Sequence, residues 1–479
     1  FVLNSKFGQT MKFLPYLQFW SFNRHGTRLP TAKEIDELPK LAKTRDDIIA
    51  NYEVRRTAPD QVCNLFRISD CLTNSFIYRS THPIDIFNST LRHIKQKHTQ
   101  TTALTYYTTI FQRLQNTYFY FFCFQGRLCN QDLENLKLWS WNRNFTQNYA
   151  NDLTYQGYND LRFLAKRWQT KFPDILASNY FHSMKFNTSL SKRYNIMILT
   201  VFILFQPYKF CTEWIKEVEE NEQTMEQVKQ FKMKEEWTTM ITNVSNHLGY
   251  KYPLEERVVE NIYDMCRYDK AWELDKPSPW CAAFSKDQLH LLEYAEDLEN
   301  YYDAGYGSKL NKMVGCTPIK DFMTKFTKMI EHPEQPKAIV YFTHSRMIQL
   351  LITALGTSED SVPLTSDNYH TPNIQRRMWR TSLIDPFASN LVAVLYKCQE
   401  GDSHRVMFFL NEKPLDFPDC RVGLCSWDVV KKKFAAIADE CNLNFCYPNS
   451  AGVTSASFKL QLFIALAVSI FTAKMSLGN

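Results

Sequence analysis

Residues 17–30 read Leu-Gln-Phe-Trp-Ser-Phe-Asn-Arg-His-Gly-Thr-Arg-Leu-Pro. The aromatic and apolar first part predicts a β-strand, and the remainder predicts a sharp turn that follows it. In that turn Arg24 and Arg28 flank His25, and Gly26 lets the backbone come close to a ligand. Guanidinium groups present forked donors that suit phosphate oxygens, and an imidazole is a competent covalent nucleophile. The stretch therefore predicts a site that holds a phosphoryl group beside a nucleophilic nitrogen.

The turn resembles the signature R-H-G-x-R-x-P of the histidine acid phosphatases, and every fixed position of that signature is met. The resemblance implies that His25 attacks phosphorus and forms a phosphohistidine, which water then hydrolyses. It also implies that Arg24 and Arg28 clamp the phosphate, because fixed guanidinium groups stabilise the charge that builds up in the transition state. The alternative interpretation is a turn at the end of a strand with a chance basic pair.

Further strings extend the resemblance to the multiple inositol polyphosphate phosphatases, the animal branch of that family. The resemblance runs from about residue 17 to about residue 415, apart from the stretches 99–123 and 195–210. They are Leu153-Thr-Tyr-Gln-Gly157, Lys276-Pro-Ser-Pro-Trp-Cys281, Asp297-Leu with Gly305-Tyr-Gly307, Pro386-Phe-Ala-Ser-Asn-Leu391 and Leu410-Asn-Glu-Lys413. This closer resemblance implies that the substrates are inositol polyphosphates of the phytate type. It also implies hydrolysis without a metal ion or another cofactor.

The resemblance assigns a second catalytic histidine and a third arginine. In the family this histidine ends a strand and precedes an apolar helix, as His344 does in the string Tyr341-Phe-Thr-His344-Ser-Arg-Met-Ile348. His344 is therefore expected to bind the phosphate, and a helix-capping or core histidine is the alternative. The third arginine is expected at Arg193, in the partial match Ser191-Lys192-Arg193, with an exposed basic pair as the alternative.

The usual proton donor of the family is replaced in this chain. Relatives place an acid directly after the second histidine or, in this branch, as His-Ala-Glu, and that acid protonates the leaving alkoxide. Ser345 and Arg346 stand there instead, and neither donates a proton at working pH. General acid catalysis is typically worth about 100- to 10,000-fold, so its loss predicts weaker turnover of poor leaving groups. Arg346 is expected to bind an additional substrate phosphate if its side chain faces the pocket.

The order of strand and helix patterns predicts the architecture. Buried-type strands are predicted at 337–342, 391–396 and 405–410, and an apolar helix at 347–355, whereas about 213–302 is charged and helical. Strands at both ends of the chain around a helical middle indicate an α/β domain interrupted by an α-helical insertion. Together with the resemblance, this predicts a histidine-phosphatase-like three-layer α/β domain with an inserted α-helical cap domain.

The predicted domain boundaries follow this order. They are 12–190 for the first part of the α/β domain (with an irregular insertion near 51–127), 191–317 for the mainly α-helical cap, 318–448 for the second part, and 449–479 for a spacer and hydrophobic tail. Two stretches do not fit a simple assignment, namely 99–123 and 195–210. The second is interpreted as a buried strand, a buried helix or a translated non-coding insertion.

The composition of the chain indicates which classes of molecule it binds. The chain has 479 residues, of which 44% are hydrophobic and 22% charged, so it is long enough and apolar enough to bury a large core. The formal net charge of +6 is mild for this size, and no basic stripe indicates a nucleic-acid surface. The expected partner is therefore a small phosphorylated molecule and not a nucleic acid.

The chain has 13 cysteines, and their spacing bears on the class of phosphatase chemistry and on the cellular compartment of the protein. None has an arginine five residues later, which excludes the thiolate phosphatase arrangement, and no C-x-x-C set has zinc spacing. Three near-neighbour pairs predict local disulfide bonds in an oxidising compartment. They are Cys266/Cys281, Cys420/Cys425 and Cys441/Cys446. The odd count leaves at least one cysteine free or bonded to another chain.

Four glycosylation sequons also favour export, and their asparagines are Asn88, Asn144, Asn187 and Asn243. Near the C-terminus, small residues at 450–452, a polar spacer and the apolar run 462–471 match a glycolipid-anchor signal. A terminal helix packed on the domain is the alternative. The expected location is the secretory pathway, with the mature protein outside the cell or attached to the plasma membrane by a lipid anchor.

Three functional hypotheses follow from these observations. The first is a phosphomonoesterase that hydrolyses inositol polyphosphates through a phosphohistidine intermediate. The second is a catalytically impaired phosphate-binding protein, because the usual acid is replaced. The third is a broad-specificity acid phosphatase or a bisphosphoglycerate phosphatase, since the sequence does not resolve the size of the pocket.

Overall fold

The structure is a computed structural model that describes residues 16–55, 128–176, 184–188, 206–398, 404–417, 420 and 423–447. Several predictions fall outside these ranges and receive no structural account. They concern Asn88, Arg193, the stretches 99–123 and 195–205, and the tail 449–479. No helix in the described ranges is both long enough and apolar enough to cross a bilayer.

The chain divides into two compact units. The sheet unit comprises Phe1–His25, Phe163–Val228 and Glu296–Asn479, and the helical unit comprises Gly26–Arg162 and Lys229–Ala295. The helical unit thus combines two stretches of chain, whereas the predicted cap is the single range 191–317. Helical periodicity identifies an amphipathic helix but does not say which core it packs into, so the predicted boundaries stay a prediction.

The described strands form one sheet, which lies in the sheet unit. They are β1 (Tyr16–Arg24), β2 (Met184–Thr188), β3 (Ala338–Thr343), β4 (Asn390–Lys397), β5 (His404–Leu410), β6 (Lys413–Pro414) and β7 (Leu424–Ser426). Their order is β2-β3-β1-β4-β5-β6, with β7 also paired to β5. The strand β1 is parallel to β3 and antiparallel to β4. The four strands predicted from the sequence are therefore present, as β1, β3, β4 and β5.

The helices in the described ranges are α1 (Ala32–Glu37), α2 (Leu41–Arg55), α3 (Asn130–Leu138), α4 (Tyr155–Lys171), α5 (Thr212–Trp214), α6 (Glu226–Lys232), α7 (Glu235–His247), α8 (Glu256–Trp272), α9 (Lys286–Asp303), α10 (Lys309–Val314), α11 (Cys316–Glu331), α12 (Ser345–Leu355), α13 (Pro372–Gln375), α14 (Thr381–Ile384) and α15 (Trp427–Glu440). Within its described residues the helical unit contains no strand, and its β-type pairing is one isolated bridge between Arg28 and Leu153. The observed mixture of a sheet with many helices confirms the predicted α/β class.

The strand β1 is aromatic on both faces because helices cover both faces of the sheet. Phe19 packs against Trp168 of α4 and against Phe172, with ring centroids 5.7 and 5.8 Å apart. On the opposite face Trp20 packs against Phe322 of α11 at 5.7 Å. Successive side chains of a strand point to opposite faces, so neighbouring residues of β1 reach two different layers of helices. The predicted three-layer arrangement is confirmed.

The helix α12 starts directly after His344 and ends where the sequence predicts. Every side chain from Met347 to Leu355 is buried, the polar Gln349 and Thr353 included, so this part of the helix lies inside the sheet unit. Gly356 follows with a φ of +68°, the left-handed conformation that glycine adopts without strain at the end of a helix.

Two of the three predicted local disulfide bonds are confirmed. Cys266 bonds to Cys281, and Cys420 bonds to Cys425. Cys398 is a free thiol among the described cysteines.

The predicted bond between Cys441 and Cys446 is wrong. Cys441 bonds to Cys316, and Cys446 bonds to Cys211. Cys441 is the residue after α15, and α15 packs against α11, whose first residue is Cys316. The bonding partner of Cys441 is therefore determined by the packing of two helices that are far apart in the sequence, and not by a short separation along the chain.

Asp269 in α8 makes the stability of the protein depend on pH. Its Oδ2 accepts a hydrogen bond from Ser278 Oγ at 2.9 Å, yet burial raises the pKa of Asp269 from 3.8 to about 6. A carboxyl group with a raised pKa binds its proton more tightly in the folded state than in the unfolded state. The resulting stabilisation is complete below pH 3.8 and is lost as the pH rises through 6.

The variant Asp269→Asn should therefore be more stable than the parent at pH 7, by about 1 to 3 kcal/mol. Asparagine keeps an oxygen for Ser278 and carries no charge to bury. The advantage should shrink towards pH 4, and urea unfolding at pH 4, 5, 6 and 7 measures it. Asp275→Asn, at an exposed position, serves as the control. An equal effect of Asp269→Asn at all four pH values would contradict the assignment.

Candidate active site

The register of the sheet brings the two predicted histidines together. Arg24 and Thr343 are partners in the parallel pair β1 and β3, so the next residues, His25 and His344, leave the sheet side by side. Their ring centroids lie 5.5 Å apart, and His25 N donates to Thr343 O at 3.1 Å. Ligands bind at the carboxyl ends of strands in sheets of this kind. The two predicted histidines are 319 positions apart in the sequence. They lie side by side only because β1 and β3 are neighbouring strands of the sheet.

Both histidines are partly exposed and lie beside the start of a helix. His344 is the N-cap residue of α12, and its carbonyl accepts from Met347 N at 3.2 Å. The aligned peptide dipoles of α12 place a partial positive charge at this end. Its sign favours an anionic group near His344.

Arg24, the last residue of β1, is held by the loop that leads into β4. Its Nη1 donates to the main-chain oxygen of Asp385 and lies 3.6 Å from Asp385 Oδ2. Its guanidinium carbon lies 4.7 Å from the centroid of the Phe387 ring, and the ring of His25 lies 5.9 Å from that ring. The backbone of the loop is also joined to the motif, because Ala388 N donates to His25 O at 2.9 Å. Arg24 is therefore restrained in its position next to His25.

Asp385 contacts Arg24 and the start of α12, and it was not predicted from the sequence. Its side chain is fully buried. Oδ2 accepts from Ser345 Oγ and, at 3.0 Å, from Gln349 Nε2, while Oδ1 accepts from Ser389 Oγ at 2.7 Å. Burial raises the pKa of Asp385, and the positive charge of Arg24 and the three hydrogen bonds oppose that rise. The one available signal was its position directly before the family string that begins at residue 386.

Arg346 is bound by two carboxylates. Its Nε and Nη2 donate to the two oxygens of Asp303 at 2.9 and 3.2 Å, and its Nη1 donates to Glu219 Oε1 at 2.7 Å. Burial raises the pKa of Asp303, and the charge of Arg346 opposes this. A role of Arg346 in binding an additional substrate phosphate stays a prediction, and it requires an exchange of these carboxylate partners for phosphate oxygens.

Arg28 belongs to the helical unit. Its backbone pairs with Leu153, and its carbonyl oxygen accepts from Trp272 Nε1 at 3.1 Å. Its Nη1 donates to the carbonyl oxygen of Leu29 at 2.8 Å. The backbone of Arg28 is thus fixed from two sides. Its role as the second arginine of the phosphate clamp stays a prediction.

The family string Leu153–Gly157 is explained by a close approach of two backbones in the helical unit. A Cβ atom added to Gly26 would lie 2.1 Å from the carbonyl oxygen of Gly157, and one added to Gly157 would lie 2.0 Å from that of Thr27. Asp160 Oδ2 holds the same turn, because it accepts from Thr27 N at 3.0 Å and from Thr27 Oγ1 at 2.6 Å. Glycine is required at both positions for this approach.

The described glycosylation sequons lie in three different settings. Asn144 is exposed in a loop, Asn243 is exposed on α7, and Asn187 lies in β2. Ser245, which completes the sequon of Asn243, is buried and donates to Ile241 O at 2.7 Å. Glycosylation at these positions stays a prediction.

Comparison with known proteins gives a family. The profile described as "Histidine phosphatase superfamily (branch 2)" matches residues 204–411. The protein named "Multiple inositol polyphosphate phosphatase 1" of Drosophila melanogaster is 32% identical over 456 residues, which covers 91% of this chain and 82% of that protein.

Two solved structures share the fold. The phytase from D. castellii superposes with a TM-score of 0.51 at 14% identity and covers 94% of this chain and 88% of the phytase. The Bifidobacterium longum multiple inositol polyphosphate phosphatase, in complex with inositol hexasulfate, superposes with a TM-score of 0.53 at 11% identity and covers 91% of this chain and 95% of that protein. At these identities the likeness shows the fold.

Proposed function

Because this chain belongs to the multiple inositol polyphosphate phosphatase family of histidine phosphatases, we propose that it hydrolyses phosphomonoesters of inositol polyphosphates, including those of the phytate type. The observation that carries the proposal is the juxtaposition of His25 and His344 at the carboxyl ends of β1 and β3, with rings 5.5 Å apart. Arg24 lies at the end of β1 and supplies positive charge beside them. These are the groups that a phosphoryl transfer to histidine requires.

The proposed reaction has two steps. In the first, a ring nitrogen of His25 attacks phosphorus, the bond from phosphorus to the inositol oxygen breaks, and the departing alkoxide takes up a proton from solvent water. In the second, water attacks the phosphohistidine, the nitrogen–phosphorus bond breaks, and inorganic phosphate leaves. Arg24 and His344 stabilise the charge on the phosphoryl oxygens in both steps. The contribution of Arg28 is carried over from the signature.

A second candidate is a catalytically impaired phosphate-binding protein. The observation that favours it is the guanidinium of Arg346, which stands two residues after His344 and is bound by Asp303 and Glu219. An arginine does not protonate a leaving alkoxide. Activated aryl esters scarcely need this protonation, whereas inositol phosphates do. The two candidates therefore differ in the ratio of aryl ester cleavage to inositol phosphate cleavage.

The test is phosphate release from inositol hexakisphosphate at pH 4 to 7 by the purified full chain, with and without a chelator. Release should exceed that of a His25→Ala variant and should not fall in the chelator. An aryl phosphate is assayed in parallel. Cleavage of the aryl ester alone indicates an impaired enzyme, and inactivity on both esters indicates a binding protein. Release no greater than that of His25→Ala would refute the proposed function.

We propose that the protein works in the secretory pathway or outside the cell. The support is four disulfide bonds within the described residues, a number typical of oxidising compartments. Exposure of Asn144 and Asn243 is compatible with glycan attachment. Attachment through a lipid anchor is a separate proposal, which rests on the composition of 450–471. Release of the full-length protein from cell membranes by a phospholipase specific for glycolipid anchors tests it.

A further inference from the structure

One buried carboxyl group has no part in the reaction as written above. We propose that Asp385 is a positioning residue, whose carboxylate holds the guanidinium of Arg24 in the orientation that binds phosphate and joins it to the helix that follows His344. This inference rests on the proposed function, because it assigns Arg24 to phosphate binding.

The contacts of Asp385 reach every element of the sheet unit that carries a residue of the site. Arg24 ends β1, Ser345 and Gln349 lie one turn apart on α12, and Ser389 directly precedes β4. Gln349 Nε2 donates to Ser345 Oγ at 3.2 Å as well as to Asp385 Oδ2 at 3.0 Å. The first turn of α12 therefore donates hydrogen bonds to the same carboxylate that forms the ion pair with Arg24 at the end of β1.

The charges explain why Arg24 stays in this place. The side chain of Asp385 is 0% exposed and that of Arg24 is 15% exposed, so the ion pair is largely shielded from water. Removing one partner of a buried pair leaves an uncompensated charge, which is strongly unfavourable. Both contacts of Asp385 use Nη1 of Arg24, and the guanidinium carbon lies over the Phe387 ring at 4.7 Å from its centroid. Asp385 therefore leaves Nη2 to other acceptors.

Orientation matters for phosphate because a guanidinium binds it with a planar fork of donors. A misplacement of about 1 Å at a reacting group costs on the order of 100-fold in rate. An arginine that rotates freely would spend most of its time outside the productive geometry. The phosphate affinity of the protein should therefore depend on Asp385, although the buried carboxylate itself does not touch phosphate.

The sheet unit contains a matched control. Asp297 is also fully buried and pairs with Arg377, which is 4% exposed, at 2.5 Å. Its other oxygen accepts from Thr381 N at 2.7 Å and from Thr381 Oγ1 at 2.8 Å. The Asp297 pair resembles the Asp385 pair in burial and hydrogen bonding, but its partner is an arginine outside the candidate site.

The experiment measures the dissociation constant of inorganic phosphate by titration calorimetry on the full chain. We expect Asp385→Asn to raise this constant about tenfold to a hundredfold, because it removes the negative charge that is paired with Arg24. Asp297→Asn should lower the melting temperature about as much as Asp385→Asn does, because it also removes one charge of a buried ion pair. It should change the dissociation constant of phosphate by less than about twofold, because that pair lies outside the candidate site. A folded Asp385→Asn protein with the phosphate affinity of the parent overturns the inference.

A double-mutant cycle separates positioning from a general loss of structure. If Asp385 acts through Arg24, then Asp385→Asn should add little to the loss already caused by Arg24→Ala. Fully additive losses overturn the inference. If Asp385→Asn does not fold, Ser345→Ala takes its place, because Ser345 is partly exposed and donates to the same oxygen. We expect a loss of phosphate affinity of about threefold to tenfold from Ser345→Ala, and an unchanged affinity then overturns the inference.

If the proposed function is wrong, the results differ from those expected when only the inference about Asp385 is wrong. A parent protein that binds phosphate but hydrolyses no ester refutes the proposed function and leaves the calorimetric test of Asp385 valid. A parent protein that binds no phosphate refutes both.

Discussion

Replacing His25 by alanine should lower kcat/KM for inositol hexakisphosphate by at least about 10,000-fold, as expected when the nucleophile of a covalent mechanism is removed. Alanine has no nitrogen that can take the phosphoryl group, so the two-step path through a phosphoenzyme is closed. Arg24 and His344 remain, and the affinity for inorganic phosphate should stay within a few-fold of the parent. The loss should therefore appear in kcat and not in binding.

Trapping with a ³²P-labelled ester tests the same prediction directly, if the protein is denatured in alkali, in which phosphohistidine is stable. The parent should carry acid-labile label, and His25→Ala should carry none. The control is His332→Ala, which removes an exposed imidazole after α11 and should keep both the label and the activity. Label that persists in His25→Ala, or that maps to another residue in the parent, would contradict the assignment of the nucleophile.

The second large effect is expected from Gly157→Ala. The new Cβ atom would lie 2.0 Å from the carbonyl oxygen of Thr27, which is backbone and has no rotamer with which to move away. One of the two backbones must shift by about 1 Å, and a displacement of that size at a reacting group costs on the order of 100-fold in rate. Gly26 is covalently joined to His25, so we expect the shift to reach the proposed nucleophile. Overpacking of this kind also costs about 1 to 3 kcal/mol of stability.

Steady-state kinetics and thermal unfolding of Gly157→Ala measure both effects. We expect kcat/KM to fall by at least about 100-fold and the melting temperature to fall by several degrees. Tyr158→Ala is the control, because it truncates the next residue of α4 at an exposed position. Gly26→Ala should reproduce the defect, since its Cβ atom would lie 2.1 Å from the oxygen of Gly157. A Gly157→Ala protein as active and as stable as the Tyr158→Ala protein would contradict this account.

Sequence patterns predicted the local elements well, for reasons that are themselves local. The strand β1 was visible because an aromatic run suits a strand covered on both faces, and α12 because its apolar residues continue up to Gly356. The phosphatase signature was visible because five fixed residues fall within seven positions, 24–30. All of these features depend on neighbours in the chain, and their physical causes are side-chain periodicity and backbone conformation.

Other features depend on which distant segments become neighbours. The partners of Cys441 and Cys446 follow from the packing of helices that lie far apart in the sequence. The two carboxylates on Arg346 come from positions 43 and 127 residues away. No periodicity encodes such contacts.

The order of amino acids was enough to predict the chemistry of this protein, since a histidine flanked by arginines in one turn is the pattern expected of a phosphate site. It did not reveal Asp385, because nothing around that residue in the sequence indicates burial. Only after β4 folds against β1 and α12 packs behind the sheet does this carboxylate meet Arg24, Ser345 and Gln349. The residue types of the candidate site were predicted from local sequence, whereas the placement of His25 beside His344 and of Asp385 beside Arg24 depends on long-range packing.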